Sequence, residues 1–137
     1  MVQPAFFFTF TLYKILLMGN QLLKGKKGIV FSALDERSIA WITALKAVEE
    51  GAEIVLTNAP IALRMGKINE LAAQCNNAPV IGADATSVED LENLFTKAME
   101  HFGGKVDFVL HSIGMSPNVR KGFAYTDTNY DNFLKTL

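Results

Sequence analysis

Apolar and polar positions along the chain fall into blocks whose period keeps switching. Residues 28–31 (GIVF) form a short apolar run, and 32–37 a six-residue polar loop. From Ser38 to about Glu50 the spacing becomes helical. Thr43, Lys46, Glu49 and Glu50 make a narrow polar stripe there. Ile39, Ile42, Leu45 and Val48, with several alanines, cover the rest, which predicts a helix mostly buried against a sheet. Gly51 supplies a stop. Residues 53–57 (EIVLT) read as a buried strand, turned by Asn58, Ala59 and Pro60. A second helix is expected over 62–75, with Met65, Ile68, Leu71, Ala72 and Cys75 on one face, broken by Asn76, Asn77 and Pro79. Residues 79–83 (PVIGA) read as a third strand ending at Asp84. Thr86 and Glu89 have capping-box spacing for a third helix, whose face is Leu91, Leu94, Phe95, Ala98 and Phe102. Gly103 and Gly104 end it. Residues 106–111 (VDFVLH) predict a fourth strand leading into Ser112, Ile113 and Gly114. A polar loop with Pro117 and Asn118 follows, then a fourth helix over 125–137, capped by Asp127 or Thr128.

Four strands alternating with helices across short loops imply an α/β fold: a doubly wound, Rossmann-like parallel sheet with right-handed crossovers and helices on both faces. Ligands of such sheets bind beyond the carboxyl ends of the strands. The polar loops there are 32–38, 58–60, 84–87 and 112–118.

Composition adds limits. With 137 residues, 50% hydrophobic and 20% charged, the chain can bury one real core and is not a disordered sequence. Net charge is −1, and the only dense basic run is Lys24, Lys26 and Lys27, so nothing points to nucleic acid. Cys75 is alone, which excludes a disulfide framework within the chain and fits a reducing compartment. His101 and His111 have no partners at ligand spacing, so no metal site is expected. Residues 1–17 are apolar, with Phe6, Phe7, Phe8 and Phe10. They are short for a membrane span, are interrupted by Lys14, and make a poor signal peptide because no small-residue cleavage site follows. They are expected to lie outside the fold as an upstream extension, with Met18 as the working start and 18–137 as the folded part.

The strand–loop–helix of residues 28–44 is the candidate phosphate site. The first-turn amides of a helix lack intrahelical acceptors, and the dipole makes that end positive. The dinucleotide fingerprint G-x-G-x-x-G is missing, with Ser32 where the first glycine is expected. An ordinary loop with Ser38 as N-cap is the plainer alternative. The acid that usually ends the second strand and binds the adenosine ribose is replaced by Asn58. Arg64 nearby would suit a 2′-phosphate or simply be a solvated helix arginine. Asp84 could accept from an adenine amino group or serve its own turn. Gly114 would allow close approach of a flat ring, or be a simple turn glycine.

SIA at 38–40, the Asp84–Ala85 pair and HSIG at 111–114 resemble the enoyl-acyl-carrier-protein reductases of bacterial fatty-acid synthesis, a branch of the short-chain dehydrogenase/reductase superfamily. NAPI at 58–61, RMGKINELA at 64–72 and DFVLHSIGMSPNVRKG resemble one divergent group of them. The likeness covers about 22–137. It implies an oxidoreductase that uses NADH, or NADPH in some members, to reduce the trans-2 double bond of an acyl chain on its carrier protein. It also implies a cytoplasmic homotetramer with no membrane or nucleic-acid partner. By motif, Ser32 takes the place of the first cofactor glycine. Ser38 and Ile39 would lie beside the pyrophosphate, Asp84 and Ala85 would hold adenine, and Ile113 and Gly114 would border the nicotinamide-side ribose. Ser116 would border the acyl site. The family's catalytic tyrosine and lysine, seven residues apart beyond a fifth strand, have no counterpart here. The chain is therefore expected to be an amino-terminal part that does not catalyse by itself, with no catalytic residue of its own.

Two rival readings stand beside this. A non-catalytic nucleotide-binding remnant has the same motifs. A phosphoryl-accepting receiver domain would use Asp35 and Glu36 after the first strand, Asp84 ending the third and Ser112 ending the fourth, but Asp35 and Glu36 fall four to five residues past their strand. It would also need a lysine ending a fifth strand, and Lys135 falls in a predicted helix.

Overall fold

A computed structural model describes residues 20–65 and 67–114, together with Asp127, Asn129, Asp131 and Leu134. The expectations for residues 1–17 and Met18 lie outside the described residues. So do those for the 115–118 loop and, but for those four positions, the helix over 125–137.

The elements run β1 (Lys27–Phe31), α1 (Ile39–Glu49), β2 (Glu53–Asn58), α2 (Pro60–Met65), α3 (Ile68–Gln74), β3 (Val80–Gly82), α4 (Val88–Phe102) and β4 (Phe108–Leu110). The sheet has the order β3-β2-β1-β4, and its three pairings are all parallel. Ile29 stands opposite Val55 on one side and Val109 on the other. The chain steps outward from β1 to β3, then returns to place β4 on β1's other flank. The strand ends therefore part between β1 and β4, the switch point at which doubly wound sheets bind ligands. A receiver domain puts its third strand beside its first. Here β4 holds that place, which removes the receiver reading.

Strand side chains alternate between faces, so the sheet has two cores. Val30, Ile54 and Leu56 pack with Trp41, Ile68 and Leu71. Ile29, Phe31 and Val55 pack with Leu94, Ala98 and Phe102 of α4. Gly28 brings β1 and β4 together: a Cβ there would run into the Phe108 ring.

Three helix expectations need correction. First, the buried side of α1 is Ala40, Trp41, Ala44 and Ala47, while Ile39 and Ile42 are 77% and 54% exposed. Small residues let the helix lie close on the sheet, and the branched side chains turn outward. Second, the helix expected over 62–75 is two helices, α2 and α3. The Lys67 amide donates to the Leu34 carbonyl at 3.0 Å, a bond to another loop that continuous helix would forbid. Third, the α4 cap is Ser87, not Thr86. The Ser87 hydroxyl accepts from the Asp90 amide at 3.2 Å, while Thr86 donates its hydroxyl to Asp84 Oδ1 at 2.7 Å. At its other end α4 stops as expected, on Gly103 in the left-handed region at φ +63°.

Thr57 is wholly buried near the end of β2, and its hydroxyl has no partner among the described residues. A buried unpaired hydroxyl carries its full desolvation cost, which an isosteric apolar group avoids. Thr57→Val is therefore expected to stabilise the fold by about 1 kcal/mol. A higher urea midpoint at unchanged slope is the expected result. An equal or lower midpoint overturns it.

Candidate cofactor site

The carboxyl ends of the strands place the candidate residues in a row. Ser32 directly follows β1, and its amide donates to the Thr57 carbonyl at 2.9 Å. Asn58 is the last residue of β2 and is buried. Its backbone carbonyl accepts from the Ala83 amide at 3.0 Å, which sets Asp84 and Ala85 beside it. Ser112, Ile113 and Gly114 follow β4 on the other flank of β1, and the His111 ring lies 6.3 Å from the Phe31 ring. Ile113 is 38% exposed at this edge. Ser32, Asn58 and Asp84 are thus brought together by bonded neighbours, with the 112–114 segment across the switch point. Ser116 lies outside the described residues.

The loop from Ser32 to Ser38 is held by its own polar groups. Asp35 accepts from the Arg37 amide at 2.9 Å and pairs with its guanidinium at 3.0 Å. The Arg37 side-chain bond is the main reason the Asp35 carboxyl sits below its ordinary pKa. Ser38 donates its hydroxyl to the Asp35 carbonyl at 2.8 Å, and accepts from the Trp41 amide at 3.4 Å as N-cap of α1. The cap serves Trp41 and leaves the amides of Ile39 and Ala40, which no intrahelical carbonyl can reach. No acid stands in the first turn of α1. The residues here therefore fit an anionic diphosphate: the Ile39 amide on an exposed residue, the positive end of the helix and no acid in its first turn, with Asp35 of the loop before it held by Arg37. The start of α4 is the contrast. Glu89 and Asp90 lie in its first turn, and Asp90 accepts from the Asp84 amide at 2.8 Å.

Asp84 is partly spent on its turn. Its Oδ1 accepts from the Thr86 amide at 2.9 Å and from the Thr86 hydroxyl. Those two bonds hold its carboxyl below the ordinary carboxylate range. It stays ionised, with Oδ2 as its remaining acceptor. Asn58 turns its own Oδ1 onto the Ala59 amide at 2.9 Å, so the side chain offers a donor where other folds offer a carboxylate. Burial pushes the Cys75 thiol up to about 11, which leaves it an inert core residue.

Ser32 is the misfit. Its φ is +65°, the left-handed region that glycine occupies freely and a side chain enters at a cost. No bond to its hydroxyl compensates among the described residues. Ser32→Gly is expected to stabilise the fold by about 0.5–1 kcal/mol, after subtracting glycine's larger unfolded-state entropy. It is also expected to tighten binding of a dinucleotide by removing the Cβ from the backbone approach. Urea unfolding and NADH fluorescence titration check the two effects. A weaker affinity in the variant would show that the hydroxyl donates to the ligand.

Comparison with known proteins decides the family. The model described as enoyl-(acyl carrier protein) reductase matches residues 33–137. The chain belongs to the enoyl-(acyl carrier protein) reductase family. It is 35% identical over 116 residues to an NADH enoyl-acyl-carrier-protein reductase of Rhizobium meliloti, covering 85% of this chain and 42% of that protein. A FabI of Rickettsia bellii is 32% identical over 120 residues, covering 88% and 45%. Among solved structures, the FabI–NADH complex of Alistipes finegoldii is 67% identical with a TM-score of 0.74, covering 85% of this chain and 41% of that one. The chain spans less than half the length of these relatives. Within it lie the Rossmann order and the motifs at the strand ends on which the resemblance stood. Among the described residues no helix is long and apolar enough to cross a membrane.

Proposed function

We propose that this chain is the amino-terminal, cofactor-holding part of an NADH-dependent enoyl-acyl-carrier-protein reductase. The observation that carries the reading is the start of α1 beside the switch point, with a Ser38 cap and no acid in the first turn. In this reading residues 18–137 form the folded unit, and 1–17 an extension outside it. Ser32, Ser38 and Ile39 border the pyrophosphate, Asp84 and Ala85 the adenine, and Asn58 the adenosine ribose. Ile113 and Gly114 border the nicotinamide-side ribose, and Ser116 the acyl site. NADH supplies the hydride when bound. The chain's own residues bind and orient its adenosine end: α1 neutralises the diphosphate and Asp84 fixes the base. The substrate class is an enoyl thioester on acyl carrier protein, and the assembled enzyme is a cytoplasmic homotetramer.

The test is fluorescence titration of the purified chain with NADH, competed by ADP-ribose. Saturable binding that ADP-ribose displaces is expected. No saturable binding overturns the reading. A preference for NADPH above tenfold, about 1.4 kcal/mol, overturns the choice of NADH and brings Arg64 forward.

A further inference from the structure

We propose that Glu36, in the loop after β1, sets the discrimination against a 2′-phosphate on the adenosine ribose by occupying the ammonium group of Lys67. This rests on the reading that the strand-end crevice takes the adenosine diphosphate end of a dinucleotide.

The end of β2, where doubly wound folds usually carry the discriminating acid, has none. Asn58 ends the strand with its Oδ1 committed to Ala59. The six residues of α2 that follow carry no acid and one cation, Arg64. A Cβ built on Gly82 would meet Leu63 at 3.1 Å and Pro60 at 3.9 Å, so α2 lies over the end of the sheet at β3. Left to these residues, the crevice would attract a 2′-phosphate.

The loop after β1 supplies the missing charge. The Lys67 amide donates to the Leu34 carbonyl at 3.0 Å, which ties the junction of α2 and α3 to this loop. Across that junction Lys67 Nζ donates to Glu36 Oε1 at 2.9 Å. Both side chains are about half exposed, at 52% and 53%, so the pair faces solvent. Glu70 also stands 4.0 Å from the same Nζ. Asp35 is turned onto Arg37 instead. A 2′-phosphate reaching Lys67 would have to displace Glu36 and then sit against its carboxylate. A 2′-hydroxyl meets no such penalty. Lys67 is thus a second cation, beside Arg64, that a 2′-phosphate could engage, and Glu36 is the carboxylate nearest to it.

The experiment compares ADP-ribose with 2′-phospho-ADP-ribose by calorimetry, on the wild-type chain, E36Q and the double variant E36Q/K67M. Glu36 is exposed and its replacement is isosteric, so folding is not at stake. E36Q is expected to shift the affinity ratio of the two probes at least tenfold toward the phosphorylated one. The shift should shrink in high salt and disappear in E36Q/K67M. A ratio that stays within twofold in E36Q overturns the proposal, as does a shift that survives the loss of Lys67. Failure of ADP-ribose to bind any of the chains is a different outcome, and removes the dinucleotide reading together with the proposal.

Discussion

Trp41→Ala is expected to destabilise the fold by about 3–5 kcal/mol, a large share of the 5–15 kcal/mol that holds an ordinary domain together. Trp41 is the largest fully buried side chain, 2% exposed, and belongs to the core that β1, β2, α1 and α3 share. Its neighbours along the buried face of α1 are alanines. No large side chain on that face is available to close the cavity. The loss should reach function as well, because the proposed diphosphate site is the start of the same helix. NADH affinity should therefore fall along with the urea midpoint. Ile39→Ala is the control. Ile39 is 77% exposed, so its truncation should cost less than about 0.5 kcal/mol. A Trp41→Ala loss below 1 kcal/mol would mean that α1 is held by something other than this packing.

That pair of residues also shows where the sequence was legible. The strands and their loops were readable because a buried parallel strand is a short apolar run between turn residues, and 28–31, 53–57 and 79–83 have that form. The buried face of α1 was not, because isoleucines dominate a hydrophobic pattern while alanines barely register in it. Close helix–sheet packing then selects the alanines. The split between α2 and α3 depends on a bond from Lys67 to a loop 33 residues earlier, which no local pattern contains. The shifted cap of α4 depends on Asp84 taking the Thr86 hydroxyl first. At the site, the order of the strand-end residues followed from topology and motif alone. The positive φ of Ser32 did not, since a serine gives no sign of it. Neither did the Glu36–Lys67 pair, whose members are 31 residues apart and meet where the α2–α3 junction is tied to the loop after β1.

The 137-residue chain alone is expected not to reduce an enoyl thioester. Hydride delivery to the double bond leaves negative charge on the thioester oxygen, which needs a positioned donor and a nearby cation to lower the barrier. The resemblance implies a tyrosine and a lysine seven residues apart for this. The chain's three tyrosines are Tyr13, Tyr125 and Tyr130. Seven residues after them stand Asn20, Asn132 and Leu137. At the four-residue spacing of the wider superfamily stand Leu17, Asn129 and Leu134. No tyrosine–lysine pair exists at either spacing. Binding and turnover should therefore separate: NADH is expected to bind at the proposed site and not to be oxidised. Loss of a single oxyanion donor costs an enzyme about 100- to 1,000-fold, and the cation is missing as well. The measurement is NADH oxidation by the purified chain with a crotonyl thioester, at a cofactor concentration that saturates binding. No rate above the buffer control is expected. Turnover within an order of magnitude of a typical enzyme's ~10 per second would overturn the claim and require a different donor among the residues present.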